Sequence, residues 1–167
     1  MLRKINMKTL LLTAFDGKTN SSRILINKII TPNKLILTNS FKRCEKQIIE
    51  ALENLRPDIV LMFGQKPKTK HLHIETCARR GEEKLCTSMA YQDISANLKK
   101  NEIDHLFSDN AGNYLCNHAY FSGLDYIKSN MLGTKMIFIH VPSINNFSEI
   151  DKLQLWLQDY ADHFKDN

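Results

Sequence analysis

The chain has 167 residues, 43% of them hydrophobic and 25% charged, with only 6 Gly and 4 Pro. That composition sets aside a long disordered tail and lets one domain, residues 1–167, bury a core without metal or disulfide staples. The net charge of +5 comes from Lys and Arg scattered along the chain, with no dense basic run interleaved with aromatics, so nucleic acid is not an expected partner; nor does any apolar run approach the roughly 20 residues of a membrane-spanning helix.

The opening, MLRKINMKTLLLTAFDGKTNSS, has the basic start and short apolar stretch of a signal peptide. Thr9 and Thr13 interrupt that stretch, Asp16 ends it, and a small-residue cleavage site is lacking, so Met7 to Phe15 reads as a first buried strand. Ser21 to Ile30 follows as a helix and Lys34 to Leu37 as a second strand. In SFKRCEKQIIEALENLR, Ile48, Leu52 and Leu55 share a helical face behind Ser40 as N-cap. Asp58 to Phe63 is another strand. The Lys66, Lys68 and Lys70 group after it reads as a solvated loop.

From His71 to Ala78 the period becomes two, with Leu72, Ile74, Thr76 and Ala78 on one face and His71, His73, Glu75 and Cys77 on the other. Ser88 to Lys100 is helical and Asp104 to Ser108 a strand. A helix opened by Gly112 runs to Ser129, Lys135 to His140 is a strand, and Ser148 to Phe164 is a terminal helix capped by Ser148. This alternation predicts an α/β fold with a mostly parallel sheet covered by helices on both faces.

The cysteines Cys44, Cys77, Cys86 and Cys116 contain no CxxC pair. The simplest reading is reduced thiols in a cytoplasmic protein. His71, His73, Cys77 and Cys86 offer nitrogen and sulfur ligands, but their spacing matches no common structural zinc site, and no metal is expected.

In open α/β sheets, ligands sit beyond the carboxyl ends of the strands. That rule selects Asp16 and Asn20, Gln65, the stretch Asn110 to Cys116, and His140. A cysteine in the first turn of a helix feels the positive end of the dipole, which favours thiolate over thiol. Free N–H groups of the same turn can hold an oxyanion. His140 is then the best-placed base, and Glu75, charged in the middle of a strand, the carboxylate that orients it.

The sequence resembles the pyroglutamyl peptidase I family of cysteine peptidases. SDNAGNYLCN is similar to its nucleophile segment S-x-x-A-G-x-[FY]-x-C-N, FIHVP to its histidine motif, and IETCA to the E-x-x-A motif carrying its acid. FGQ resembles the Gly-Gln segment after the third strand, and TAFD with NSS resembles the family's opening.

The resemblance implies a Cys116–His140–Glu75 triad on a three-layer α/β/α fold, cleaving pyroglutamate from the N-terminus of peptides without metal or organic cofactor. Gln65 would contact the lactam, Phe15 and Tyr114 would wall its slot, and Asn20 would join the substrate site; the oligomeric state, homo-oligomer included, stays open. The chain departs from the family in a shortened FDGKT opening, in KPKTK after Gln65, and in Arg79, Arg80 and GEEK after the acid motif. A second reading follows from those departures: a binding protein that keeps the fold without turnover.

Overall fold

The computed structural model describes residues 8–164; Met7, where the first strand is expected to begin, and the basic opening lie outside them. In chain order the elements are β1 (Leu10–Phe15), α1 (Ser21–Asn27), β2 (Lys34–Leu37), α2 (Phe41–Leu55), β3 (Ile59–Gln65), β4 (Leu72–Glu75), β5 (Cys77–Arg80), β6 (Glu83–Cys86), α3 (Tyr91–Lys100), β7 (His105–Ser108), α4 (Leu115–Ser129), β8 (Lys135–Val141) and α5 (Ile150–Asp162). A 3-10 turn over Ile144–Asn146 follows β8.

Six strands form one sheet in the order β2-β1-β3-β8-β4-β7. Every neighbouring pair is parallel except β4 and β8, which pair antiparallel. Alternation along the strands then feeds two cores. Leu10, Leu12, Leu61, Phe63, Ile137 and Ile139 point toward α1, α3 and α5, where Leu25, Ile94 and Trp156 cover them. Leu11, Val60, Met62, Met136 and Phe138 point the other way, under Ile48 and Leu52 of α2 and Tyr120 and Phe121 of α4. Such near-continuous apolar strands are what a sheet covered on both faces requires. The expected three-layer α/β/α architecture is the one observed.

Three expectations need correction. The period-two run from His71 is not one strand: it breaks at Thr76, whose N–H and Oγ1 both donate to the Ser108 carbonyl. Beyond that break, β5 turns back on β6 as a separate two-stranded ribbon, reversing at Gly81 with φ +58°, a conformation glycine adopts without steric cost. Cys77 faces Cys86 across this ribbon with Cα atoms 3.9 Å apart, and the two form a disulfide. They are therefore not reduced thiols, and the nitrogen–sulfur set on this strand is divided: His71 pairs with Asp104, while the two sulfurs bond each other. Finally, Ser148 does not cap the last helix, which starts at Ile150 behind Glu149.

Candidate active site

The carboxyl ends of β1, β3 and β8 gather the expected residues along one edge. β3 and β8 pair in register so that Gly64 lies opposite His140 and Gln65 opposite Val141. On β8's other side, His73 lies opposite His140 and Glu75 opposite Phe138. Glu75 and His140 thus share a face as diagonal cross-strand neighbours, a separation long side chains span. The His140 Nδ1 donates to Glu75 Oε1 at 2.7 Å. Glu75 is fully buried, at 0% exposure, and His140 nearly so at 5%. A carboxylate taken wholly out of water needs such a partner. Its second oxygen, Oε2, has no hydrogen-bond partner among the described residues.

Cys116 enters from above the sheet. The helix opens later than expected, at Leu115; Ala111 to Tyr114 is irregular chain, with Gly112 at φ +89°. Tyr114 occupies the N-cap without a side-chain bond, which leaves the first N–H groups of the helix open at their positive end. The Cys116 sulfur descends onto Gly64: a Cβ at that glycine would lie 2.7 Å from Sγ and 2.7 Å from the Phe138 ring. Sulfur and imidazole therefore lie on the same face of the Gly64–His140 rung of the sheet. Among the described residues no hydrogen bond joins them; Nδ1 is held by Glu75, which leaves Nε2 as the nitrogen for incoming protons.

The thiol is not held as a thiolate. Burial first, then the negative charge of Glu75, push its pKa up to about 12, against a smaller opposing effect of its own backbone N–H. Desolvation outweighs the stabilisation that the helix end offers the thiolate.

Side chains of the nucleophile's helix tie it to the acid's strand and to the β5–β6 ribbon. Tyr120 donates its hydroxyl to the Glu75 carbonyl at 3.0 Å. Asn117, next to Cys116, accepts from the Arg79 N–H at 2.9 Å and donates to the Arg79 carbonyl at 2.7 Å. Arg80 reaches across to Ser122 and stacks on Phe121. The role of Tyr120 had no signal in the sequence beyond its spacing from Cys116 on one helix, and Asn117 was visible only as the last residue of SDNAGNYLCN. Gly64 was visible only as part of FGQ.

The expected substrate-contact residues lie on the same edge with local duties. Gln65 accepts from the Ser21 N–H at 2.8 Å, and Asn20 caps α1 by accepting from the N–H and hydroxyl of Ser22. Phe15 is buried in the cluster that contains Ala111 and Leu115. Tyr114 is 68% exposed and sits edge-on to Phe41. Lys66 is not part of a solvated loop: its Nζ lies 3.8 Å from Glu75 Oε1 and 3.4 Å from His73 Nδ1.

Residues 79–156, which include Cys116 and His140, match the family model of pyroglutamyl peptidase. A pyrrolidone-carboxylate peptidase of Brachyspira hyodysenteriae is 32% identical over 133 residues, spanning 66% of this chain and 66% of that protein. The chain belongs to the pyroglutamyl peptidase family. A second pyroglutamyl peptidase family relative, pyrrolidone-carboxylate peptidase 2 of Caldanaerobacter subterraneus, is 27% identical over 165 residues and covers 80% of each chain. Two solved structures share the fold. The pyrrolidone carboxyl peptidase of Thermococcus litoralis superposes with a TM-score of 0.75 at 22% identity over 96% of both chains. The pyroglutamyl peptidase I of Bacillus amyloliquefaciens does so with a TM-score of 0.81 at 21% identity, covering 93% of this chain and 94% of the other.

Proposed function

We propose that this protein is a cysteine exopeptidase that hydrolyses an N-terminal pyroglutamyl residue from peptides, with Cys116 as nucleophile, His140 as general base and acid, and Glu75 as the group that orients His140. The carrying observation is the buried Glu75–His140 hydrogen bond at 2.7 Å, one sheet rung from the sulfur lodged over Gly64.

The chemistry follows from the protonation states. Glu75 fixes the ring so that Nδ1 carries a proton and Nε2 has the lone pair. A thiol pushed up to about 12 stays protonated at neutral pH, so its proton moves to Nε2 as the sulfur attacks the pyroglutamyl carbonyl. Open N–H groups at the start of α4 receive the oxyanion. The imidazolium then protonates the leaving amine, and water, deprotonated by the same ring, cleaves the thioester to release pyroglutamate. No step requires a metal.

Gln65, Asn20, Phe15 and Tyr114 belong to the substrate side of this reading, supported by their common edge with Cys116. Among the described residues no helix is long and apolar enough to cross a membrane, and the Cys77–Cys86 disulfide removes the reduced-thiol ground for a cytoplasmic setting. The competing reading, a binder that lost turnover, rests on KPKTK and the short FDGKT opening.

A fluorogenic pyroglutamyl-aminocoumarin assay separates the two. Wild type should release the fluorophore and Cys116→Ala should lose turnover to background. Unchanged turnover in the alanine variant rejects the mechanism; an inactive wild type whose melting temperature rises with pyroglutamate favours the binder.

A further inference from the structure

Glu75 Oε1 has two nitrogen neighbours, His140 Nδ1 and Lys66 Nζ, and the proposed mechanism uses only the first. Lys66 follows directly after β3, and its backbone N–H extends the β3–β8 ladder by donating to the Val141 carbonyl at 2.8 Å. The loop behind it is anchored rather than loose. Ser143 and Asn146 both donate to the Pro67 carbonyl, at 3.3 and 2.8 Å. Thr69 Oγ1 sits 3.2 Å from the His71 carbonyl and 2.9 Å from His73 Nε2.

These contacts define one consistent run of donors and acceptors. The Lys66 ammonium can only donate, so the neutral His73 ring accepts at Nδ1 and gives its Nε2–H to Thr69 Oγ1, whose hydroxyl gives its own proton to the His71 carbonyl. Nδ1 of that ring is then a bare acceptor, and it faces the Lys66 ammonium at 3.4 Å. The same ammonium lies 3.8 Å from Glu75 Oε1, the oxygen that also accepts from His140. Burial first, then the charge of Lys66, lower the pKa of His73, in keeping with a neutral ring that accepts. The other titratable groups facing the pair are Cys116 and Tyr120 of α4, both with pKa values raised by burial and thus uncharged.

We propose that Lys66 is a positioning residue of the active site, a fixed cation that keeps Glu75 ionised and opposes a second proton on the Glu75–His140 pair, so that the base stays free into mildly acidic pH. The inference rests on the triad reading above. His73 is the neutral prop that aims the ammonium. Because the Lys66 side chain is 39% exposed, the effect is smaller than for a fully buried pair.

The test is the pH dependence of kcat/KM for Lys66→Gln, Lys66→Met and Lys66→Arg. Removing the charge should move the acid limb upward by about 0.5–1 pH unit, a loss of about 3- to 10-fold on that limb, with little change on the plateau; Lys66→Arg should keep the wild-type limb. A uniform drop at all pH values with an unmoved limb would mean that Lys66 only packs, and would overturn the proposal. Titration of the His140 ring protons by NMR gives a readout that needs no turnover. Its midpoint should rise in Lys66→Gln even if the peptidase reading fails, and an unmoved midpoint overturns the role of Lys66 alone.

Discussion

At Gly64 the requirement is space. Its hydrogen leaves room for the Cys116 sulfur and the edge of Phe138, each 2.7 Å from where a methyl group would stand. Both neighbours are anchored, the ring in the core and the sulfur on a helix tied to the sheet by Tyr120, so neither gives way cheaply. Gly64→Ala should destabilise the fold by about 1–3 kcal/mol and, by displacing the sulfur, lower kcat about 100-fold. Chemical denaturation and the fluorogenic assay read the two effects; normal turnover would show that the sulfur's seat over Gly64 is not the reactive one. The thiol carries its own prediction. Its pKa is raised, so the reactive thiolate is scarce at neutral pH and grows with alkalinity. The rate of Cys116 alkylation by iodoacetamide should climb about tenfold per pH unit from pH 6 through 9. A rate already level below pH 7 would instead demonstrate a standing thiolate–imidazolium pair. Cys44 is fully buried and Cys77 and Cys86 are bonded, which leaves Cys116 as the accessible thiol.

Among the elements, the β5–β6 ribbon links acid to nucleophile. It leaves the sheet two residues after Glu75, receives Asn117 through both hydrogen bonds to Arg79, and with Lys84 and Arg79 grips Asp109 at the start of the nucleophile segment. The Cys77–Cys86 bond closes a short loop, worth up to about 2–3 kcal/mol through the unfolded chain. Dithiothreitol or Cys86→Ser should therefore lower the melting temperature by several degrees, while a melting temperature insensitive to reductant would mean that the ribbon holds without the bond. The strands were legible from their apolar runs; their ends nominated Cys116 and His140, and a charge in the middle of a buried strand nominated Glu75. The ribbon was not legible, because Leu72 to Ala78 keeps an unbroken alternation through Thr76; only the pairing of Cys77–Arg80 with β6 in a sheet of its own reveals that the chain turns out of the main sheet there. The same blindness hid the disulfide, since a spacing of 9 residues identifies a cross-ribbon pair only once the turn at Gly81 is known. Lys66 went unread for a related reason: a lysine beside two others looks solvated until the carboxylate beneath it is located.

Across the whole molecule the two cores serve separate ends. The layer of α1, α3 and α5 is a packed apolar face, and an open cavity of about 400 Å3 between Trp156, Tyr160 and Met89 lies where β3 and β8 begin, away from the His140 end. The opposite layer, with α2 and α4, carries the sulfur. Base and acid belong to the sheet between them, on its single antiparallel pair. Because side chains on a strand alternate between faces, sliding β4 by one residue along β8 would turn its carboxylate into the opposite layer. Natural variation or protein engineering can thus lengthen or trim the joining segments at modest cost, whereas a single codon inserted between His73 and Glu75 would sever acid from base and leave a folded shell without its proton relay.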